Sequence, residues 1–587
     1  PLWVATTPGV DPADRMDRSL LEALPDLLGD EPALTSVLGL RSAALVVPEP
    51  ARAIVLAAVS RHSGRRPLLI VAPSGSEAER LAGDLGHYLG PDEVELFPAW
   101  ETLPFERLSP GIETMGHRMR ILNRLAEPSG RPAVVVASGR ALVQRLTPAA
   151  GEVRPFVLGP GDIVDQTGLV ESLVAAGYRR EYQVEHRGEL AVRGSILDLW
   201  PSTSEVPFRI DFWGDEIERL REFGVADQRT TVVRAEVEVY PCREMVPDAA
   251  MRARAGALVA EQPWGREHWE RLAEGEIFEG RESWLPWLDS EERLLVELFD
   301  DDALVVVVEP RRLRDRVSDL RDEERELAGS LALTWGADGL AFPQLHLDWE
   351  RLLEHTDAPL WTIDSVAPGP EGDTVVASGW VTDRPGSKRE HAAPGVALRL
   401  AELLADGFRV VVAADGEGSA VQLLQRLTED GLVLAEEQAA TDPAVPGAYL
   451  VVAALERGFL IHGSKLAVVT ETEITGRRRT RRGSRPRRRA ALRVFEDLGV
   501  GDYVVHEHHG VARFAGLVAR TLAGVERDYL LLEYRGDDRL YLPTEQIDTI
   551  RPYSSGEAPT LSRMGGTDWE RTKSRVRSAL AEIAEEL

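Results

Sequence analysis

The 587-residue chain, 43% hydrophobic and 28% charged, is long enough for three to five domains and reads as globular rather than disordered. Its net charge of −29 argues against gripping duplex DNA over most of its surface, because proteins that do so place Lys and Arg against the phosphates. Cys242 is the one cysteine, which excludes an intrachain disulfide and a zinc ribbon and fits a reducing cytoplasm.

PLWVATTPGV at the start lacks a signal-peptide pattern and an initiator Met, so a fragment is the expectation. No stretch approaches the roughly 18–20 apolar residues of a membrane helix, and no membrane partner is expected. RRPLLIVAP (65–73) is an apolar run of strand length, followed by SEAERLAGDLGHYLG (76–90) with helical spacing. RPAVVVAS (131–138) repeats the pattern ahead of another helical segment. Strands apolar on both faces, alternating with helices, predict a parallel α/β layer over 1–140. Residues 141–227 change character. ELAVRGSILDLWP (189–201) and VPFRIDFWGDEIERLREF (206–223) contain short strands with aromatics between Gly, Pro and Asp turns, the pattern of a small antiparallel-rich insert.

Residues 228–350 return to strands such as ALVVVVEP (303–310) and charged helices, with Trp284 and Trp287 as core aromatics and Cys242 as a buried bystander. A second α/β pattern fills 371–475. RRRTRRGSRPRRR (477–489) then gathers nine arginines and no acid into a linker spanning 476–495. Residues 496–555 are short strands and turns, which predict a small β-barrel. The stretch 556–587 ends in a helix with Trp569, Val576, Leu580, Ile583 and Leu587 on one face.

No G-x-x-x-x-G-K-[ST] loop occurs. Where the first domain would hold one, GLRSAALVVPEPARAIVLAAVS (39–60) has no Lys, and Pro48 and Pro50 lack the N–H donors that cradle phosphates. No nucleophile elbow, HExxH or paired-carboxylate motif appears, so no catalysis by this chain is expected. HEHH (506–509) suggests a metal at first sight. Strand alternation places His506 and His508 on one face and Glu507 and His509 on the other, so the four cannot converge on one ion without a bulge. A strand–turn role is expected instead, with Gly510 in the turn.

ELAVRGSILDLWP and VPFRIDFWGDEIERLREF resemble the UvrA-interacting domain of the excision-repair protein UvrB. FPAWETLPFERLSP (97–110) and HRMRILNRL (117–125) resemble the N-terminal region of the bacterial transcription-repair coupling factors, the Mfd family. GDYVVHEHHGVARFAG (501–516) and RDYLLLEYRGDDRLYLPTEQIDTIRPY (527–553) are similar to that family's CarD-like, Tudor-type RNA-polymerase-interacting domain. LSRMGGTDWERTKSRVRSALAEIAEEL (561–587) resembles the helix leading into its motor. The resemblance implies a multidomain α/β protein. A degenerate UvrB-like, helicase-type module would comprise domain 1a (1–140), domain 2 (141–227) and domain 1b (228–350). An α/β domain of unassigned role (371–475) and a polymerase-binding barrel (496–555) would follow. It implies a monomeric scaffold that binds the RNA polymerase β subunit and recruits UvrA, with no cofactor of its own. ATP, magnesium and most DNA contact would belong to a motor beyond this chain, which releases stalled polymerase and initiates nucleotide excision repair.

On this reading Arg179, Arg193 and Arg209 contact UvrA, with Phe208 or Phe212 as aromatic anchors, since arginine and aromatics are enriched in interface hot spots. The plain alternative is a local ion pair with Glu189 or Asp211, worth at most about 1 kcal/mol. DYLLLEY (528–534) supplies the polymerase candidates. Leu530 and Leu532 share one face and Tyr529 and Leu531 the other; an edge strand here could extend a partner's sheet, and alternation leaves open which face is core. Arg477, Arg478, Arg479, Arg487, Arg488 and Arg489 are candidates for nucleic-acid contact, against the alternative of a solvated linker. Two other functions stay open: a CarD-like regulator with an unrelated N-terminal extension, and a nucleotide-dependent helicase using an unconventional site within 39–75.

Overall fold

The computed structural model describes residues 19–475 except 103, 106–108, 128–129, 149–153, 226–227, 335–341, 367–374, 379–393 and 437–444, and beyond these residues 501, 503–506, 510–522, 525–536, 538–543, 550–552 and 561–562. The chain divides into two units at Arg477.

The first unit opens with β1 (Ser42–Val46), β2 (Leu68–Ala72), β3 (Val94–Phe97) and β4 (Val134–Ser138). The chain then leaves for an insert built from β5 (Phe156–Leu158), β6 (Arg179–Arg180), β7 (Glu189–Arg193), β8 (Ile196–Leu199), β9 (Phe208–Trp213), β10 (Glu216–Phe223), β11 (Thr230–Val233) and β12 (Val237–Val239). It returns as β13 (Leu304–Val308), β14 (Leu360–Asp364) and β15 (Val375–Ala377), which join the first four strands in one parallel sheet of order β15-β1-β14-β13-β2-β4-β3. Every residue of β2, β4 and β13 is buried, which is why these runs are apolar on both faces. Ile70, Val136 and Val306 pack into one layer with the helices Arg52–His62 and Gly75–Leu89. Val71, Val135 and Val307 pack into the other with Ile112–Ala126 and Pro310–Thr334.

The insert's main sheet has the order β11-β10-β9-β8-β7-β6 and is antiparallel except between β6 and β7. Its inner face sets Leu190, Leu197, Leu199, Ile210 and Leu220 against the helix Gln166–Ala175. A short β5–β12 ladder closes the insert at Val239.

The FPAWE segment is a structural knot at the root of this insert. Arg118, fully buried on the helix Ile112–Ala126, grips the fully buried Glu244 with Nε–Oε2 at 2.6 Å and Nη2–Oε1 at 3.0 Å. Its Nη1 donates to the Pro98 carbonyl at 2.9 Å, and its guanidinium lies 4.3 Å from the Phe97 ring centroid. Trp100 Nε1 also donates to Glu244, at 2.9 Å. Glu101 accepts from the Gly111 N–H at 3.2 Å and from the Thr114 hydroxyl, capping that same helix. Nearby, Trp284 and Trp287 are buried among Trp264, Trp269 and Phe342, as core aromatics. Cys242 is buried too, and burial pushes its thiol up to about 12. The native protein is therefore expected to resist iodoacetamide at about pH 8 and to react only on unfolding, as mass spectrometry of the adduct would report.

Beyond β15, the strands β16 (Arg409–Ala414), β17 (Ala435–Glu436), β18 (Ala448–Val452), β19 (Phe459–Ile461) and β20 (Leu466–Thr470) form a second sheet of order β17-β18-β16-β20-β19. It is parallel except at β19, and the helices Pro394–Ala405 and Glu417–Glu429 cover one face.

The second unit contains β21 (Tyr503–His506), β22 (Gly510–Leu522), β23 (Val525–Glu533), β24 (Arg539–Pro543) and β25 (Ile550–Pro552), antiparallel in the order β24-β23-β22-β21-β25. Among the described residues this ladder is open, with no pairing between β24 and β25 where the sequence predicts a barrel. Gly510, where β22 begins, has φ of 78°, a left-handed conformation that glycine adopts without penalty.

Candidate functional site

Ligands of open parallel sheets settle beyond the C-terminal strand ends. In the first unit β1 runs into Pro48 and a single Glu49–Ala51 turn instead of a glycine loop. Arg52 follows, buried, with Nη2 2.6 Å from Glu309 Oε1 and 2.8 Å from Ser365 Oγ. Glu309, at the tip of β13, also binds Arg312, which reaches Glu77 at 3.1 Å; Glu77 accepts from Ser74 Oγ at 2.8 Å. The edge that a nucleotide would use is thus filled by the protein's own ion pairs. Burial alone would raise the Glu309 carboxyl, but hydrogen bonds from Arg312 and Arg52 hold it below its ordinary value. Glu309 also takes φ of 48°, uncommon for a residue with a Cβ. Among the described residues no group of three His, Cys, Asp or Glu is placed to hold a metal.

The insert carries the three candidate arginines. Strand register puts Arg179 and Glu189, then Ala191, Asp198, Arg209 and Arg221, then Arg193, Ile196, Asp211 and Arg219, on the sheet face opposite its core. The three candidate arginines therefore share one face, in three different settings. Arg209 is a bidentate partner of the buried Asp198, at 2.6 and 2.8 Å, and lies 5.0 Å from the Phe223 ring centroid. Its hydrogen bonds to Asp198 raise its already high pKa further. Arg179 is half-buried and 3.9 Å from the fully buried Glu189. Arg193 is exposed: it donates to the Tyr182 carbonyl at 3.2 Å and lies 5.4 Å from the centroid of the Tyr182 ring. Among the described residues no carboxylate pairs with it. Phe208 and Phe212 point to the opposite side, into the core.

The exposed aromatics are others, Tyr182 at 64% and Trp213 at 76% exposure. Trp213 ends β9 opposite Glu216, which bridges onward to the exposed Ile163. The adjacent Phe-Trp pair of FRIDFW was the available signal, because alternation lets only one of the two face the core.

In the second unit Leu530 and Leu532 are fully buried beside Val504, Phe514 and Leu542, whereas Tyr529 and Leu531 are half-buried on the other face. β23 is paired on both sides, to β22 and to β24, so it is an interior strand. The edge next to it is β24. His506 is buried; Glu507, His508 and His509 lie outside the described residues. So do Arg477, Arg478, Arg479, Arg487, Arg488 and Arg489, and the C-terminal helical pattern with Trp569, Val576, Leu580, Ile583 and Leu587.

Comparison with known proteins agrees with this division. Residues 156–245 match the UvrB interaction domain, residues 406–474 the MFD, D3 domain, and residues 498–554 the CarD-like/TRCF RID domain. The transcription-repair-coupling factor of Mycobacterium bovis is 37% identical over 92% of this chain and 47% of that relative. Those of Escherichia coli and Bacillus subtilis are 29% and 26% identical, over 91% and 92% of this chain and 47% of each relative. The chain thus resembles the N-terminal portion of transcription-repair-coupling factors and spans about half the length of the curated relatives it matches. No helix among the described residues is long and apolar enough to cross a membrane.

Proposed function

We propose that this chain is the recognition scaffold of a transcription-repair coupling factor. The insert docks UvrA through its outward sheet face, and the five-stranded sheet of the second unit docks RNA polymerase at its β subunit. In a complete protein these surfaces would serve an ATP-driven DNA translocase that releases stalled polymerase and starts nucleotide excision repair in the cytoplasm. The observation that carries the UvrA half is Arg193 over Tyr182, an exposed arginine–aromatic pair with no carboxylate partner among the described residues. For polymerase docking, the similarity of 498–554 to the CarD-like/TRCF RID domain and the edge position of β24 support strand addition. Arg179 and Arg209 would then hold the face in shape, and Tyr529 and Leu531 would support the docking edge.

The chain itself is proposed to bind no nucleotide, since Arg52 and Arg312 are both paired to Glu309 where phosphates would lie. Titration calorimetry with magnesium-ATP is expected to give no saturable heat. A saturable isotherm would restore the helicase reading. For the scaffold as a whole, pull-down by UvrA is the direct test, and a chain that UvrA fails to retain would end the proposal for the insert.

A further inference from the structure

The helix Arg52–His62 follows β1, in the position where a nucleotide-binding protein would anchor phosphates. It has no polar face along its first eight residues: from Arg52 to Val59 every one is buried. A helix covering one side of a sheet keeps a polar stripe for solvent, and one apolar all round needs cover on both sides. The second cover is shared: the Leu20–Leu28 segment and the helix Gly75–Leu89 pack on it, and the β16–β20 sheet joins the same core. Alternate residues of its strands diverge. Val410, Val412, Leu450 and Val469 meet that domain's own helices, while Val411, Val451, Phe459 and Val468 join the core that contains Ile54, Leu56 and Ile70 of the first domain. Polar contacts rim this seam. Ser464 donates to Glu31, the Glu456 N–H donates to Asp84 at 3.1 Å, and Arg457 pairs with Glu49 at 2.9 Å. Glu49 belongs to the Glu49–Ala51 turn that stands in place of a phosphate loop, and β19 packs against that turn.

We infer that residues 406–474 are a permanent roof over the first domain's nucleotide-type edge. With the Leu20–Leu28 segment they complete the apolar cover of the helix Arg52–His62, and they clamp the turn before it. The turn in place of a phosphate loop is held shut, and the described parts of the first and middle domains act as one stiff body. This assigns the middle domain a mechanical task, independent of whether UvrA or polymerase is the partner.

Hydrogen exchange on the whole chain tests it with a variant that never touches the seam. Val469 faces only the middle domain's own helices, so Val469→Asp loosens that domain from its far side. The expected result is exchange at least ten-fold faster at the amides of 54–60, together with those of β16 and β20, while β7–β10 of the insert keep their protection. Should Val469→Asp be insoluble, Val469→Ala in mild urea gives the same readout through a milder cavity. The inference is overturned if β16 and β20 exchange freely and residues 54–60 stay as protected as in the wild type.

Discussion

Glu244→Ala is expected to lower the stability of the first unit by about 3–5 kcal/mol, the usual result of stripping one partner from a buried ion pair. Glu244 and Arg118 are both fully buried, and the carboxylate satisfies two arginine nitrogens and the Trp100 indole at once. Removing it leaves a guanidinium with only the Pro98 carbonyl and the Phe97 and Trp100 rings for company. Three elements lose their common anchor: the end of β3, the helix Ile112–Ala126 and the exit from the insert. Glu244→Gln keeps the shape and one acceptor oxygen, so its loss should be smaller. A urea series followed by tryptophan fluorescence reads both, with the midpoint falling furthest for alanine. An alanine midpoint equal to wild type would mean that the knot carries no net stability.

Arg193→Glu is expected to weaken UvrA binding roughly 30-fold or more, about 2 kcal/mol, with little effect on folding. The side chain is exposed and supports no core residue, so its replacement belongs with surface substitutions that shift stability by about 0.5 kcal/mol or less. What it loses is a positive charge with an aromatic neighbour, in a chain whose net charge is −29. Such a charge suits an acidic partner surface, and reversal turns attraction into repulsion. Arg209→Glu should behave differently, because Asp198 would face a second buried carboxylate and the sheet itself would suffer. Calorimetry with UvrA beside a melting curve for each variant separates the two roles. Equal UvrA affinity for wild type and Arg193→Glu would remove Arg193 from the interface.

Much of the architecture was legible because it follows from local pattern. LLIVA and LVVVV are apolar throughout and VVVAS is apolar up to its final Ser138, a pattern that points to a sheet covered on both faces. The alternation of FRIDFW was equally visible, yet the sequence reading named Phe208 or Phe212 as anchors, where register turns both inward and leaves Trp213 outside. The partner of Arg209 was out of reach: Asp198 lies eleven residues away on a neighbouring strand, and only pairing brings them together. Leu530 and Leu532 share that limit. Their face could be read, but that it is the core depends on β22 and β24 flanking β23. The apolar run AIVLAAV was a signal in plain view, since a helix without a polar stripe announces cover on both sides. Which segment supplies that cover is a contact some 400 residues away, as between Glu49 and Arg457.

The most direct test of a two-surface scaffold is one sizing-column experiment with core RNA polymerase and UvrA, run with wild type and with Arg193→Glu. The account predicts that wild type elutes with either protein, whereas Arg193→Glu elutes with polymerase and free of UvrA. Wild type running free of polymerase, or Arg193→Glu losing both partners while still folded, would contradict it.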